Sequence, residues 1–122
     1  MMTQKTDFTM YQGDSKVLSV AVADEDGVAV PVDGMTIRWQ ASPVVTGGFE
    51  TTATLKKDNG ALGGITTVTE EGVFEVELEP EDTEDLTGLY YHEAELTDGA
   101  GNISTVLTGR MTIKPVLIRA GG

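Results

Sequence analysis

Cysteine is absent from these 122 residues, and with it go a disulfide framework, a thiolate metal site and a cysteine nucleophile. A chain of this kind suits folding in a reducing cytoplasm. Basic residues are scarce too: 8 Lys and Arg stand against 20 Asp and Glu, giving a formal net charge of −12 and a sequence pI near 4.2. Nucleic acid is excluded as a partner on that ground, because Lys and Arg contacts to phosphate dominate such binding. The same charge repels anionic membranes, keeps free subunits apart and favours a basic protein surface. No apolar run reaches the length of a spanning helix. The start, Met1-Met2-Thr3-Gln4-Lys5-Thr6-Asp7, lacks the charged head and apolar stretch of a signal peptide. Helical periodicity is missing as well, apart from one possible turn near Glu81–Leu86.

What is present is alternation and punctuation. Hydrophobic residues make up 39%, and a single domain of this length buries roughly two-thirds of its unfolded surface without staples. Turn signals recur at short intervals: Gly13-Asp14, Asp24-Glu25-Asp26-Gly27, Asp33-Gly34, Gly47-Gly48, Asp58-Asn59-Gly60, Gly63-Gly64, Glu71-Gly72, Gly88 and Asp98-Gly99-Ala100-Gly101-Asn102. Between them lie short period-two runs, the mark of an all-β sandwich or barrel. The expected strands are an A-like run at Phe8–Tyr11, B at Lys16–Asp24, C at Met35–Ala41, weak strands at Thr51–Lys56 and Ile65–Val68, E at Val73–Leu78, F at Tyr90–Asp98 and G at Ile103–Ile113, interrupted by Gly109. The E strand states its faces most plainly. Phe74, Val76 and Leu78 point inward, because Glu75, Glu77 and Glu79 cannot share a core face with them.

The run into Tyr90 sharpens the fold class. An acidic turn, a Gly and a Tyr opening an alternating strand is how an immunoglobulin-type sandwich begins its F strand, and Trp39 lies where a C-strand Trp packs across the core. His92 stands where a secreted immunoglobulin domain would place a Cys. The expectation is an immunoglobulin-like antiparallel β-sandwich of about seven strands without a disulfide, spanning residues 1–115, with Trp39, Phe74 and Tyr90 in its core.

Chemistry is thin in this sequence. A lone His92 cannot build a multi-His metal site, and its parity with Tyr90 and Leu96 suggests a half-buried core residue bonded locally. The acidic stretch Glu70–Asp85 could suit calcium, but its carboxylates alternate along a strand rather than converge, so a solvated edge is the expectation. Asp24–Gly27 and Asp98–Asn102 read as turns rather than ion loops. Ser15, Ser19, Ser42 and Ser104 show no paired base, no Gly-x-Ser-x-Gly is present, and Gly60-Ala61-Leu62-Gly63-Gly64 lacks the Lys-Ser/Thr step of a phosphate loop. No catalytic residue, metal ligand or cofactor is expected, and the chain reads as non-enzymatic. After Pro115 comes a short apolar tail over residues 116–122. Its Val116, Leu117, Ile118 and Arg119 either cover the open end of the sandwich or dock on a neighbour.

Taken in order, Phe8, Gln12-Gly13-Asp14, Asp24-Glu25-Asp26-Gly27, Ile37-Arg38-Trp39, Gly72-Val73-Phe74, Leu78-Glu79-Pro80-Glu81-Asp82-Thr83, Leu86-Thr87-Gly88-Leu89-Tyr90-Tyr91, Asp98-Gly99-Ala100-Gly101 and Gly109-Arg110-Met111-Thr112-Ile113-Lys114-Pro115 make a pattern covering nearly the whole chain. It resembles the small immunoglobulin-like structural proteins of tailed bacteriophage virions, including the N-terminal domain of baseplate upper proteins. That resemblance implies capsid decoration, a head fibre or a tail or baseplate module. It also implies other virion proteins as multi-copy partners, and folding in host cytoplasm before residence in the virion. The chain departs from the baseplate version in lacking a long C-terminal region. The competing reading is a carbohydrate-binding or adhesive immunoglobulin-like module of a bacterial surface protein, with Phe49, Tyr11 and Tyr91 as candidate stacking residues.

Overall fold

The computed structural model describes residues 1–43, 54–68 and 72–118. Among them nine strands and one helical turn appear: β1 (Gln4–Lys5), β2 (Phe8–Tyr11), β3 (Lys16–Ala21), β4 (Thr36–Ser42), β5 (Leu55–Asp58), β6 (Ile65–Val68), β7 (Val73–Leu78), α1 (Pro80–Thr83), β8 (Gly88–Thr97) and β9 (Ile103–Lys114). They form two sheets. One has the order β1-β9-β8-β4-β5, with β2 also on the β9 edge; the other is β3-β7-β6. Pairing is antiparallel except that β1 and β2 run parallel to β9.

This strand order is that of an immunoglobulin-like sandwich. β3, β7 and β6 stand as B, E and D, facing β4, β8 and β9 as C, F and G, while β5 adds a C′ strand. The first strand has crossed from the B edge to the G edge, and it is split into β1 and β2. That split and the C′ strand account for nine strands where about seven were expected. The two weak strands, which the sequence leaves unordered, fall in opposite sheets: β5 on β4 and β6 on β7. Residues 51–53 of the first lie outside the described residues.

Alternation sets the core. Leu18 and Val20, Ile37, Trp39 and Ala41, Phe74, Val76 and Leu78, and Tyr90, Ala94 and Leu96 are all buried between the sheets, with Trp39 and Phe74 fully so. Each fully buried side chain of this kind contributes about 1.5–3 kcal/mol over exposure. Glu75 and Glu77 alternate with the β7 core row, as the sequence requires.

Several boundaries differ from the sequence expectation for physical reasons. β3 ends at Ala21 rather than Asp24. Val22 remains buried, but its N–H donates to the Gly72 carbonyl at 2.7 Å and its own carbonyl accepts from Val30 N–H at 3.0 Å. The chain there exchanges ladder bonds for loop bonds. β9 is not interrupted at Gly109. Its irregularity is at Val106, where the register steps from Ala94↔Leu107 to Glu95↔Thr105 and leaves one extra residue. This bulge lets the successive residues Val106 and Leu107 both be buried. The helical turn starts one residue before the expected window, at Pro80, whose fixed φ suits a first helical position. Its buried Thr83 accepts a hydrogen bond at Oγ1 from Gly13 N–H at 3.0 Å, tying the β2–β3 turn to the β7–β8 connection.

Candidate functional site

Two adjacent rungs of the β8–β9 ladder, Tyr91↔Arg110 and His92↔Gly109, carry the polar features of the molecule. On the inward side, His92 is 2% exposed. Its Nδ1 accepts a hydrogen bond from Trp39 Nε1–H at 3.1 Å, and its Nε2 lies 2.7 Å from the Thr6 carbonyl oxygen. The indole can only donate, so Nδ1 must be the acceptor and Nε2 must carry the proton that reaches Thr6. Phe8 packs edge-on against the same ring, with centroids 5.2 Å apart. The expectation of a half-buried histidine bonded locally is corrected: His92 is buried, and its partners lie 53 and 86 residues away.

Gly109 makes this possible. A Cβ there would fall inside the Thr6 carbonyl and come within 2.9 Å of His92 Nε2. The carbonyl of the first strand therefore takes the place of a side chain, and the strand breaks between β1 and β2 to deliver it. Thr6 N–H still bonds the Thr108 carbonyl at 2.8 Å, and Asp7 Oδ1 accepts from Arg110 N–H at 2.9 Å. Burial lowers the His92 pKa from its ordinary value, against opposing contributions from the Thr6 carbonyl and the Asp7 charge. The neutral imidazole follows. With both ring nitrogens committed, His92 is not available as a base to any of the serines.

On the outward side Arg110 is exposed and Tyr91 half-buried. Tyr91, Glu93, Thr108, Gly109 and Arg110, with Lys5 on β1 and an edge of His92, wall an open depression of about 350 Å³. Pairing places Lys5 across from Thr108 on this face, Thr108 across from Glu93, and Arg110 across from Tyr91. Lys5 and Arg110 are exposed, and neither side chain makes an ion pair among the described residues. A second shallow depression, of about 140 Å³, lies over Arg38, Gln40, Lys56, Lys57, Asp58 and Leu62 on the β4–β5 side. Sequence reasoning missed this clustering of cations, because a strongly acidic total hides where the few cations go.

The acidic stretch does not converge. Glu75 and Glu77 lie along β7, Glu79 and Glu81 are exposed, and Asp82 accepts from Lys57 Nζ and from Glu79 N–H, each at 2.7 Å. Glu70 and Glu71 lie outside the described residues. Among the described residues no three His, Cys, Asp or Glu side chains are placed to hold a metal ion. The Asp-Gly segments are turns built on one carboxylate. Asp24 Oδ1 accepts from Asp26 and Val28 N–H, and Asp98 Oδ1 from Ala100 and Asn102 N–H. The Asn102 bonds hold the Asp98 carboxyl below its ordinary pKa.

Of the tail residues, Val116 is half-buried, whereas Leu117 and Ile118 are 96% and 97% exposed. They do not cover the sandwich end. Arg119 lies outside the described residues, as does Phe49. Tyr11 and Leu89 are also exposed and flank the end of β9 from either side, opposite Lys114 and Thr112.

No protein-family model and no curated protein matches the chain. Among solved structures it is similar to the PmoD soluble domain from Methylocystis sp., at 12% identity over 86% of this chain and 76% of that one, with a TM-score of 0.49. It is also similar to the V domain of amphioxus IgVJ-C2, at 14% identity over 88% of this chain and 99% of that one, with a TM-score of 0.39.

Proposed function

We propose that the chain is a non-enzymatic structural component of a tailed-bacteriophage virion, a capsid decoration, head fibre or tail or baseplate module that docks on other virion proteins. The observation that carries this reading is the exposed apolar end of the larger sheet. Leu117 and Ile118 stand 96% and 97% exposed beyond β9, with Tyr11 and Leu89 beside the same strand end. Side chains of this size gain free energy by leaving water, and a grouped set of them marks an interaction surface. A sandwich that seals its core with imidazole and indole rather than sulfur also suits folding in host cytoplasm, before incorporation into the virion.

The test is deletion of residues 116–122 in the parent phage, with copies per particle counted by quantitative mass spectrometry. The full-length chain should be present at fixed stoichiometry and the truncated chain nearly lost, although the truncated protein still folds. Full occupancy by the truncated chain, or absence of the full-length chain from purified particles, overturns the reading. The adhesive alternative draws support from the outward placement of Tyr11 and Tyr91 on one sheet face.

A further inference from the structure

We propose that the depression over the β8–β9 ladder binds a carboxylate-bearing sugar residue, of uronate or sialate chemistry. The site goes beyond the docking reading and uses none of the tail.

The argument starts from placement. Lys5 pairs across from Thr108, and Arg110 lies two residues further along β9 on the same face. Both are exposed and line one depression, and neither has an ion-pair partner among the described residues. An anion bound between them would give each cation a counter-charge. The Arg110 guanidinium offers the planar fork that takes a carboxylate through two parallel bonds, and the Lys5 ammonium adds a point charge. Asp7 lies beside Arg110, its Oδ1 accepting from the Arg110 backbone N–H at 2.9 Å, and it makes no ion pair with either cation among the described residues.

The other walls select the rest of the ligand. Tyr91 lies directly opposite Arg110 and brings an aromatic side chain to the depression, and Thr108 and Glu93 lie opposite each other on the next outward rung. Glu93 repels any anion, a dianion such as phosphate more strongly than a carboxylate, so the ligand carboxylate belongs at the Lys5 and Arg110 side while Glu93 accepts hydrogen bonds from hydroxyl groups. A lone carboxylate would leave both Tyr91 and Glu93 unused. A ring with one carboxylate and several hydroxyls uses all five side chains, and a depression of about 350 Å³ lies at the small end of ligand sites.

The test is amide NMR titration of the full chain with glucuronate and with N-acetylneuraminate, using glucose and acetate as controls. Saturable shifts centred on Lys5, Tyr91, Thr108 and Arg110 are expected with an acidic sugar, at a Kd of about 1 mM. Arg110→Gln and Lys5→Gln should each weaken binding about tenfold, the size of one charge-assisted contact, with unchanged thermal midpoints. Glucose binding as tightly as the acidic sugars overturns the proposal. So does acetate reproducing the full shift pattern at the same concentration, or neither acidic sugar saturating the site.

Discussion

Tyr91 with Arg110 and His92 with Gly109 are neighbouring rungs of one ladder, yet they meet opposite environments. The His92 rung faces inward and is closed by Trp39, Phe8 and the Thr6 carbonyl, with every polar atom partnered. The Tyr91 rung faces outward, where Arg110 is exposed and makes no ion pair among the described residues. The break between β1 and β2 lets the Thr6 carbonyl reach His92 on the inner side, while Lys5 and Arg110 stay in water on the outer one. Stability is therefore concentrated on one face of this ladder and free chemistry on the other.

The sharpest way to break the comparison is Gly109→Ala. The added methyl meets backbone rather than a movable side chain, so the first strand must lift and His92 loses its acceptor. Destabilisation of about 3 kcal/mol is expected from overpacking plus an orphaned buried N–H, read as the urea midpoint. Arg110→Gln on the outer face should cost almost nothing by the same measure. Next comes Trp39→Phe, which keeps most of the ring but removes the donor to His92 Nδ1. A loss of about 2 kcal/mol follows from the unpaired nitrogen and the missing volume.

A third effect is pH-dependent. Burial holds the folded His92 neutral, while in the unfolded chain it takes up a proton near pH 6.5. The unfolded state then binds more protons, so the His92 contribution is whole above about pH 6.5 and is lost as pH falls through the lower folded value. Urea midpoints at stepped pH should show a downward slope below 6.5 in the native chain that His92→Gln lacks. Equal slopes would mean that His92 is not held neutral. Smallest of all, Leu117→Ser with Ile118→Ser should shift stability by no more than about 0.5 kcal/mol, since both side chains are already in water. A larger loss would mean that the tail packs on the sandwich after all.

Much of the architecture was legible because it repeats locally. The β7 carboxylates at Glu75 and Glu77 dictated which face is wet, and Ile65–Val68 and Val73–Leu78 were read to the residue. Trp39, Phe74 and Tyr90 were placed in the core by parity, and the structure buries all three. Gly109 was read as a break in the last strand because a glycine in a strand weakens it. Its actual role, receiving a backbone carbonyl from Thr6, depends on a partner that no window around Gly109 contains. The Val106 bulge was hidden for a related reason. Two adjacent buried aliphatics look like noise in an alternating pattern until the facing strand shows the extra residue.

The amino-acid order alone determined the two-layer β architecture, the wet and dry side of most strands and the exclusion of cysteine-based chemistry, because period-two alternation and composition are local quantities. Only the folded chain decided that the first strand leaves B for G, that His92 is a neutral bridge between Trp39 and Thr6, and that Lys5 and Arg110 line one depression. Each of these joins residues 53 to 105 positions apart. Such pairings are set by how sheets close on each other, a free-energy balance of packing and backbone bonding over the whole molecule.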